Sequence, residues 1–165
     1  MLIVIVRHGK AEKDSPSGGD RDRPLKPRGE KQAQYLATKL ADMPVEAIVS
    51  SDAVRARDTA RPITAALDID VEFDQRLRVD MPVSPVVDLI AERAQGPLAS
   101  GLMLVGHNPQ LSKLVGLLAG KPTGPALEEL RTGQAAVLEI DRQIASDPSA
   151  LKGAAELQSM LRSEA

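Results

Sequence analysis

The chain has 165 residues, of which 42% are hydrophobic and 27% charged, with a formal net charge of −2. This length and balance are typical of one globular domain with a core, and they give no positive field that would attract nucleic acid. The only aromatic residues are Tyr35 and Phe73, too few for the stacking faces of a single-stranded nucleic-acid binder, and the absence of cysteine excludes disulfides, thiol catalysis and cysteine-based zinc sites.

Apolar runs that predict strands alternate along the chain with segments of helical periodicity. The first run, residues 2–6, is unbroken and rich in β-branched residues, which is typical of a strand buried on both faces. It is too short for a signal-peptide core or a membrane span, so a cytoplasmic protein without a membrane partner is the default expectation. A polar loop over residues 12–26 follows. We predict further strands at residues 47–49, 71–73, 101–106 and 134–140, and helices from Pro27 to about Met43, after Ser51-Asp52, and at residues 85–94, 108–118 and 148–162.

The second predicted helix carries two local signals. Ser51 and Asp52 precede it, and their side chains are of the kind that cap helices. Pro62 falls within it and predicts a kink or an interruption, because proline lacks the backbone N–H that the helix ladder needs.

The alternation of strands and helices predicts an α/β fold. We expect a three-layer α/β/α sandwich with a mainly parallel central sheet, in a single domain over residues 1–165. Ligands of such sheets bind beyond the carboxyl ends of the strands. A functional site is therefore expected where the predicted strands end.

Three of these strands are followed, within a few residues, by histidine or arginine. The first runs into Arg7-His8-Gly9, and the fourth runs into Gly106-His107-Asn108-Pro109. The second runs into Ser51, with Arg55 in the first turn of the next helix. If the strands are parallel neighbours, two imidazoles and two guanidiniums meet in one crevice.

This set of side chains suits a phosphate group. Arginine forks match phosphate oxygens, and a helix that starts near Asn108 presents free backbone N–H groups to an anion. A neutral His8 can attack phosphorus, while a protonated His107 can stabilise the equatorial oxygens. Each residue alone also fits a structural role. A zinc site would need further carboxylate ligands at unspecified distances.

The motifs resemble a known family. Arg7-His8-Gly9, Ser51-x-x-x-Arg55-Ala56-x-x-Thr59-Ala60 and Gly106-His107-Asn108-Pro109, in this order at strand ends, are similar to the histidine phosphatase (phosphoglycerate mutase-like) superfamily. The short chain and Arg23-Pro24-Leu25-x-x-x-Gly29 most resemble its SixA branch, the phosphohistidine phosphatases. The matching order covers residues 1 to about 140.

The resemblance implies a role for each motif residue. His8 would be the nucleophile that forms a phosphohistidine, and Arg7, Arg55 and His107 would hold the phosphoryl oxygens. The implied substrate-binding residues are Gly9, Arg23 and Asn108. The resemblance implies a phosphoglycerate mutase-like fold and no metal or organic cofactor.

One expected residue is missing from the pattern. Many superfamily members carry a carboxylic acid after the third strand, which protonates the leaving oxygen. Here Gln75 or Arg76 falls near that place, and neither is a general acid. Asp74 or Asp80 could substitute, although both also fit ordinary surface carboxylates. Lys26 stands where the branch usually has threonine, which removes a helix cap.

The missing acid bears on the substrate. An alkoxide leaving group needs a proton from the enzyme, whereas a protonated phosphohistidine leaves as neutral imidazole. The leading hypothesis is therefore a phosphatase for phosphohistidine on a protein, such as a phosphotransfer domain. The alternatives are a broader phosphomonoesterase for small-molecule or aryl phosphates, with Asp74 or Asp80 as its acid, and a catalytically silent module that binds phosphorylated partners.

Overall fold

A six-stranded sheet lies at the centre of the computed structural model, which describes residues 1–97, 99–120 and 129–164. Within these residues the strand order is β3-β2-β4-β1-β5-β6. The first four strands in this order are parallel, and the last two are antiparallel to their neighbours. The strands are β1 Leu2–Arg7, β2 Ala47–Ser50, β3 Val71–Phe73, β4 Gly101–Gly106, β5 Ala135–Glu139 and β6 Glu156–Leu161.

Helices cover both faces of the sheet. Ile3 and Ile5 of β1 belong to one apolar cluster, and Val4 and Val6 belong to another, because successive side chains of a strand point to opposite faces. The described helices are α1 Pro27–Leu40, α2 Val54–Leu67, α3 Ser84–Gln95, α4 Gln110–Ala119 and the short α5 Arg142–Ala145. Helices α1 and α2 pack on the Val4 side, whereas α3 and α4 pack on the Ile3 side. The predicted three-layer α/β/α sandwich with a mainly parallel sheet is confirmed.

The structure can be compared with the predictions for Pro62 in α2 and for Lys26 before α1. Helix α2 runs without interruption through Pro62, so of the two predicted outcomes, a kink or an interruption, the interruption is wrong. Buried side chains on either side of it, Ala60 and Ile63, pack in the core and hold the helix together. Helix α1 begins after Lys26 with no side-chain cap, as the missing threonine implies.

The predicted helix at residues 148–162 is wrong. A single 3₁₀ turn at Pro148–Ala150 is followed by strand β6, which pairs antiparallel with β5. Gly153 separates the two with a φ of +70°, a conformation that ends a helix. Along β6 exposed and half-buried residues alternate, with Leu157 and Leu161 on the half-buried side. A spacing of four residues fits both a helix and a strand, and the free edge of β5 decides for the strand.

No helix within the described ranges, 1–97, 99–120 and 129–164, is long and apolar enough to cross a membrane.

Candidate active site

The carboxyl ends of three parallel strands meet at one edge of the sheet. Strand β4 lies between β1 and β2, so that Arg7 pairs with Gly106 and Ser50 pairs with Val105. An open cavity of about 260 Å³ lies beyond this edge. Six of the seven predicted site residues line it: Arg7, His8, Arg23, Arg55, His107 and Asn108.

His8 is held in one tautomer. Its ring is buried, and Nδ1 lies 2.7 Å from the carbonyl oxygen of Gly9. A carbonyl oxygen only accepts hydrogen bonds, so Nδ1 carries the hydrogen and Nε2 keeps its lone pair. Burial, together with the positive charges of Arg55 and Arg7, lowers the pKa of His8 from 6.5 to about 4. At neutral pH the ring is therefore uncharged, which is the form that a nucleophile needs.

Gly9, the seventh predicted residue, fixes the position of the loop that carries His8. Its N–H donates to Oγ1 of Thr59 at 2.9 Å, and the Thr59 hydroxyl donates to the backbone oxygen of Arg55 at 2.7 Å. A Cβ at residue 9 would lie 2.7 Å from the carbonyl oxygen of Gly29 in α1. The close approach requires glycine, and it ties the end of β1 to both α1 and α2.

His107 faces His8 across the site, with the two ring centroids 5.2 Å apart. Burial, followed by the proximity of His8 and Arg55, lowers the pKa of His107 from 6.5 to about 3. His107 is therefore neutral at neutral pH, and not protonated as its expected role requires. A desolvated ring beside other cationic groups stays neutral until an anion compensates the charge.

Ser51 is the hydrogen-bond partner of the His107 ring. Its Oγ accepts from the N–H of Ala53 at 3.2 Å and lies 2.8 Å from Nε2 of His107. The hydroxyl hydrogen of Ser51 is satisfied when it points at Nε2, which leaves the hydrogen of the neutral ring on Nδ1. Within the described residues this Nδ1 is buried and has no hydrogen-bond partner.

The predicted capping role of Ser51 and Asp52 is not observed. Helix α2 begins after Ala53 with no side-chain cap. Asp52 instead forms ion pairs with Arg21 and Arg78.

The two strand-end arginines each retain an unused donor. Arg7 donates from one terminal nitrogen to the backbone oxygen of Leu130 at 2.9 Å. Arg55 is 2% exposed, and both of its terminal nitrogens donate to Asp20 at 2.9 Å. The Nε atoms of both arginines are buried without a partner among the described residues. Both guanidinium groups line the cavity and are therefore suited to bind an anion such as phosphate.

Asn108 precedes α4, which begins two residues later than predicted, at Gln110. Its Nδ2 donates to the same Leu130 oxygen that Arg7 binds, at 2.8 Å, and its Oδ1 accepts from the hydroxyl of Ser112 at 2.7 Å. Asn108 thereby joins the loop after β4 to the residue that holds Arg7.

Asp20 is the site residue that the sequence analysis missed. Its carboxylate accepts from Arg55 at 2.9 Å and from Nε of Arg23 at 3.1 Å. Burial alone would raise the pKa of Asp20, but the hydrogen bonds and charges of Arg55 and Arg23 lower it overall, so the group is ionised at neutral pH. Its three-residue spacing from Arg23 was the available signal, and acidic residues in polar loops are too common for that spacing to single it out.

The two proposed substitute acids lie elsewhere. Neither Asp74 nor Asp80 lines the cavity. Both carboxylate oxygens of Asp74 accept from Arg76, which lowers the pKa of Asp74. Arg76 is itself bound by Glu92. The structure therefore does not bring Asp74 or Asp80 into the group of side chains that line the cavity.

Comparison with known proteins relates this chain to one superfamily. Residues 3–81 match the family model of the histidine phosphatase superfamily (branch 1). The predicted likeness to the histidine phosphatase superfamily is confirmed. A stretch of 80 residues is 38% identical to an Escherichia coli protein assigned to the phosphoglycerate mutases, GpmB. That match covers 47% of this chain and 37% of the relative, so the chain spans little more than a third of the curated relatives.

Solved structures extend the likeness to nearly the whole chain. A protein of Agrobacterium tumefaciens assigned as the phosphohistidine phosphatase SixA is 27% identical, with a TM-score of 0.76 over 97% of this chain and 96% of its own. A SixA-type protein of Nakamurella multipartitia is 25% identical, with a TM-score of 0.82 over 99% of this chain and 96% of its own. These neighbours support the SixA-type branch of the superfamily.

Proposed function

We propose that this chain is a phosphatase that hydrolyses phosphohistidine on a protein, through a covalent intermediate on His8. The observation that carries the proposal is the state of the two histidines. His8 offers the lone pair of Nε2 to the cavity region, and the ring centroid of neutral His107 lies 5.2 Å from that of His8. Three arginines line the same cavity.

The first step transfers the phosphoryl group to His8. Nε2 of His8 bonds to phosphorus while the bond from phosphorus to the substrate imidazole nitrogen breaks. The substrate ring, protonated on its other nitrogen, leaves as a neutral imidazole. Phosphorylated His8 then carries the positive charge, because its Nδ1–H remains bonded to the oxygen of Gly9. The two rings exchange roles without a proton from the enzyme.

The second step returns His8 to its starting state. Water attacks the phosphorus, the bond to Nε2 breaks, and the products are dihydrogen phosphate and neutral His8. Arg7, Arg55 and His107 line the cavity and would bind the phosphoryl oxygens there. Donors fixed in advance at a water-poor site are the main source of rate acceleration in phosphoryl transfer.

The ionised carboxylate of Asp20 favours phosphohistidine over alkyl esters as the substrate. In the described part of the chain, Asp20 supplies the carboxylate that lines the cavity, and two arginines hold it ionised. An ionised carboxylate has no proton to give to a departing alkoxide. Substrates that need little protonation are therefore preferred, and the SixA assignment of the neighbours at 25% and 27% identity supports the same choice.

The position of the cavity fits a macromolecular substrate. Val79 and Asp20 line it and are 39% and 51% exposed, so its rim is open to solvent. A phosphohistidine on the surface of a phosphotransfer domain is a partner of this kind.

The proposal can be tested by measuring how fast a labelled phosphoryl group is lost from a phosphorylated phosphotransfer domain. We expect turnover by the wild type, and none by His8→Ala or Arg55→Ala. Arg57→Ala is the matched control, because Arg57 is an exposed arginine on the same helix. Equal rates in wild type and His8→Ala would refute the proposal. A rate on alkyl phosphates equal to that on phosphohistidine would favour the broader phosphomonoesterase instead.

A further inference from the structure

Asp20 occupies the arginines that a phosphate group would use. Its backbone oxygen and Oδ2 accept from the two terminal nitrogens of Arg55, each at 2.9 Å, and its Oδ1 accepts from Nε of Arg23 at 3.1 Å. A carboxylate that bridges two guanidiniums makes the same charge-assisted bonds as two oxygens of a phosphate.

We propose that Asp20 is an internal counter-anion of the phosphate site, which competes with inorganic phosphate for Arg55 and Arg23 and so promotes release of the product. This inference rests on the proposed function, because it assigns the cavity to phosphate. It makes Asp20 a positioning residue that acts through the two arginines.

The exchange requires movement of one side chain only. The backbone oxygen of Asp20 is held by Arg55 and also accepts from the N–H of Arg23 at 3.3 Å. The next residue, Arg21, is tied to α2 through the N–H of Val54 at 2.9 Å. The Asp20 side chain is 51% exposed, whereas Arg55 is 2% exposed. The carboxylate can turn toward solvent while the loop and the buried guanidinium stay in place.

The charge balance gives the direction of the effect. Lys10, Arg7, Arg23 and Arg55 line the cavity as cations, and Asp20 opposes them. A bound phosphate is repelled by the like charge of Asp20. To reach the terminal nitrogen of Arg55, it must displace the Asp20 carboxylate that accepts a hydrogen bond from that nitrogen. After hydrolysis the Asp20 carboxylate can replace the product phosphate at Arg55 and Arg23. Removal of the Asp20 charge should therefore strengthen phosphate binding, whereas removal of a mere support for Arg55 should weaken it.

Calorimetric binding of inorganic phosphate to wild type, Asp20→Asn and Asp14→Asn tests the proposal. Asp14 is an exposed aspartate of the same loop, so its replacement removes the same charge outside the cavity. We expect Asp20→Asn to bind phosphate about tenfold more tightly than wild type, in line with the loss of one charged competitor. Asp14→Asn should bind like wild type.

Unchanged or weaker phosphate binding in Asp20→Asn, with normal hydrolysis of phosphohistidine by the wild type, would overturn the counter-anion and leave the proposed function standing. No phosphate binding and no hydrolysis in the wild type would overturn both. A crystal structure of the wild type with phosphate gives a second test that needs no variant. The carboxylate of Asp20 should have left the Arg55 nitrogen, and a retained contact beside bound phosphate would overturn the proposal.

Discussion

The two buried histidines should make the stability of the fold depend on pH in the neutral-to-acid range. In the unfolded chain each histidine binds a proton with a pKa near 6.5, whereas in the folded chain the pKa is about 4 for His8 and about 3 for His107. The unfolded state thus holds more protons between these values. The contribution of the two histidines to the free energy of unfolding is fully present above pH 6.5 and is lost as the pH falls toward the folded pKa values.

The size of the loss follows from the two pKa values. With an unfolded pKa of 6.5 and a folded pKa of about 4 or below, each histidine loses about 2 kcal/mol of stability by pH 5 and about 3 kcal/mol by pH 4. Carboxylates whose pKa is lowered, such as Asp20 and Glu72, lose their contribution only below 3.8 and 4.5. The interval from pH 7 to pH 5 therefore isolates the histidines.

Urea denaturation followed by circular dichroism at pH 7, 6 and 5 measures this dependence. The double variant His8→Asn/His107→Asn cannot titrate at these positions, so its stability should be nearly constant over this interval. Each single variant should keep about half of the wild-type loss, as expected for two contributions of similar size. Equal losses in wild type and double variant would refute the burial of neutral imidazoles as the cause.

Three further predictions concern neighbours of the histidines. Ser51→Ala removes the donor to Nε2 of His107 and should lower kcat by about tenfold or more, as expected for the loss of a buried hydrogen bond, with an unchanged circular dichroism spectrum; an unchanged kcat would contradict the assigned tautomer. Gly9→Ala forces a Cβ to within 2.7 Å of the Gly29 oxygen and should lower both the melting temperature and the activity, and a variant as stable as the wild type would show that the loop has room. Asp74→Asn should leave phosphohistidine hydrolysis within about twofold of wild type, because the Asp74 carboxylate lies outside the cavity and is bound by Arg76, and a large loss of kcat would restore Asp74 as an acid.

The core strands could be predicted from the sequence because their signal is local. Strands β1 and β4 are unbroken apolar runs, and they lie side by side in the sheet with both faces covered. Strand β6 could not be predicted in the same way. Its Leu157 and Leu161 have a spacing that suits a helix as well, and the choice depends on pairing with β5, about 20 residues earlier in the chain.

The same contrast between local and long-range signals explains which site residues could be predicted. His8, Arg55 and His107 were found because each lies at or near the end of a predicted strand, where the topology of a parallel sheet concentrates function. Asp20 was missed because its partner Arg55 lies 35 residues away and is reached through a loop. Ser51 was found but given the wrong partner. Its position before a helix predicted a cap, whereas its contact is with His107, 56 residues away.

The proposed reaction requires that His8 carries the phosphoryl group during turnover. Acid-free rapid quenching of the enzyme with a phosphorylated phosphotransfer domain, followed by mass spectrometry, measures it directly, since phosphohistidine survives alkaline conditions. We expect a phosphoryl group on Nε2 of His8 that appears and decays at the rate of turnover, and none on His107. Full turnover with the label on another residue, or with no labelled enzyme at any time, would contradict it.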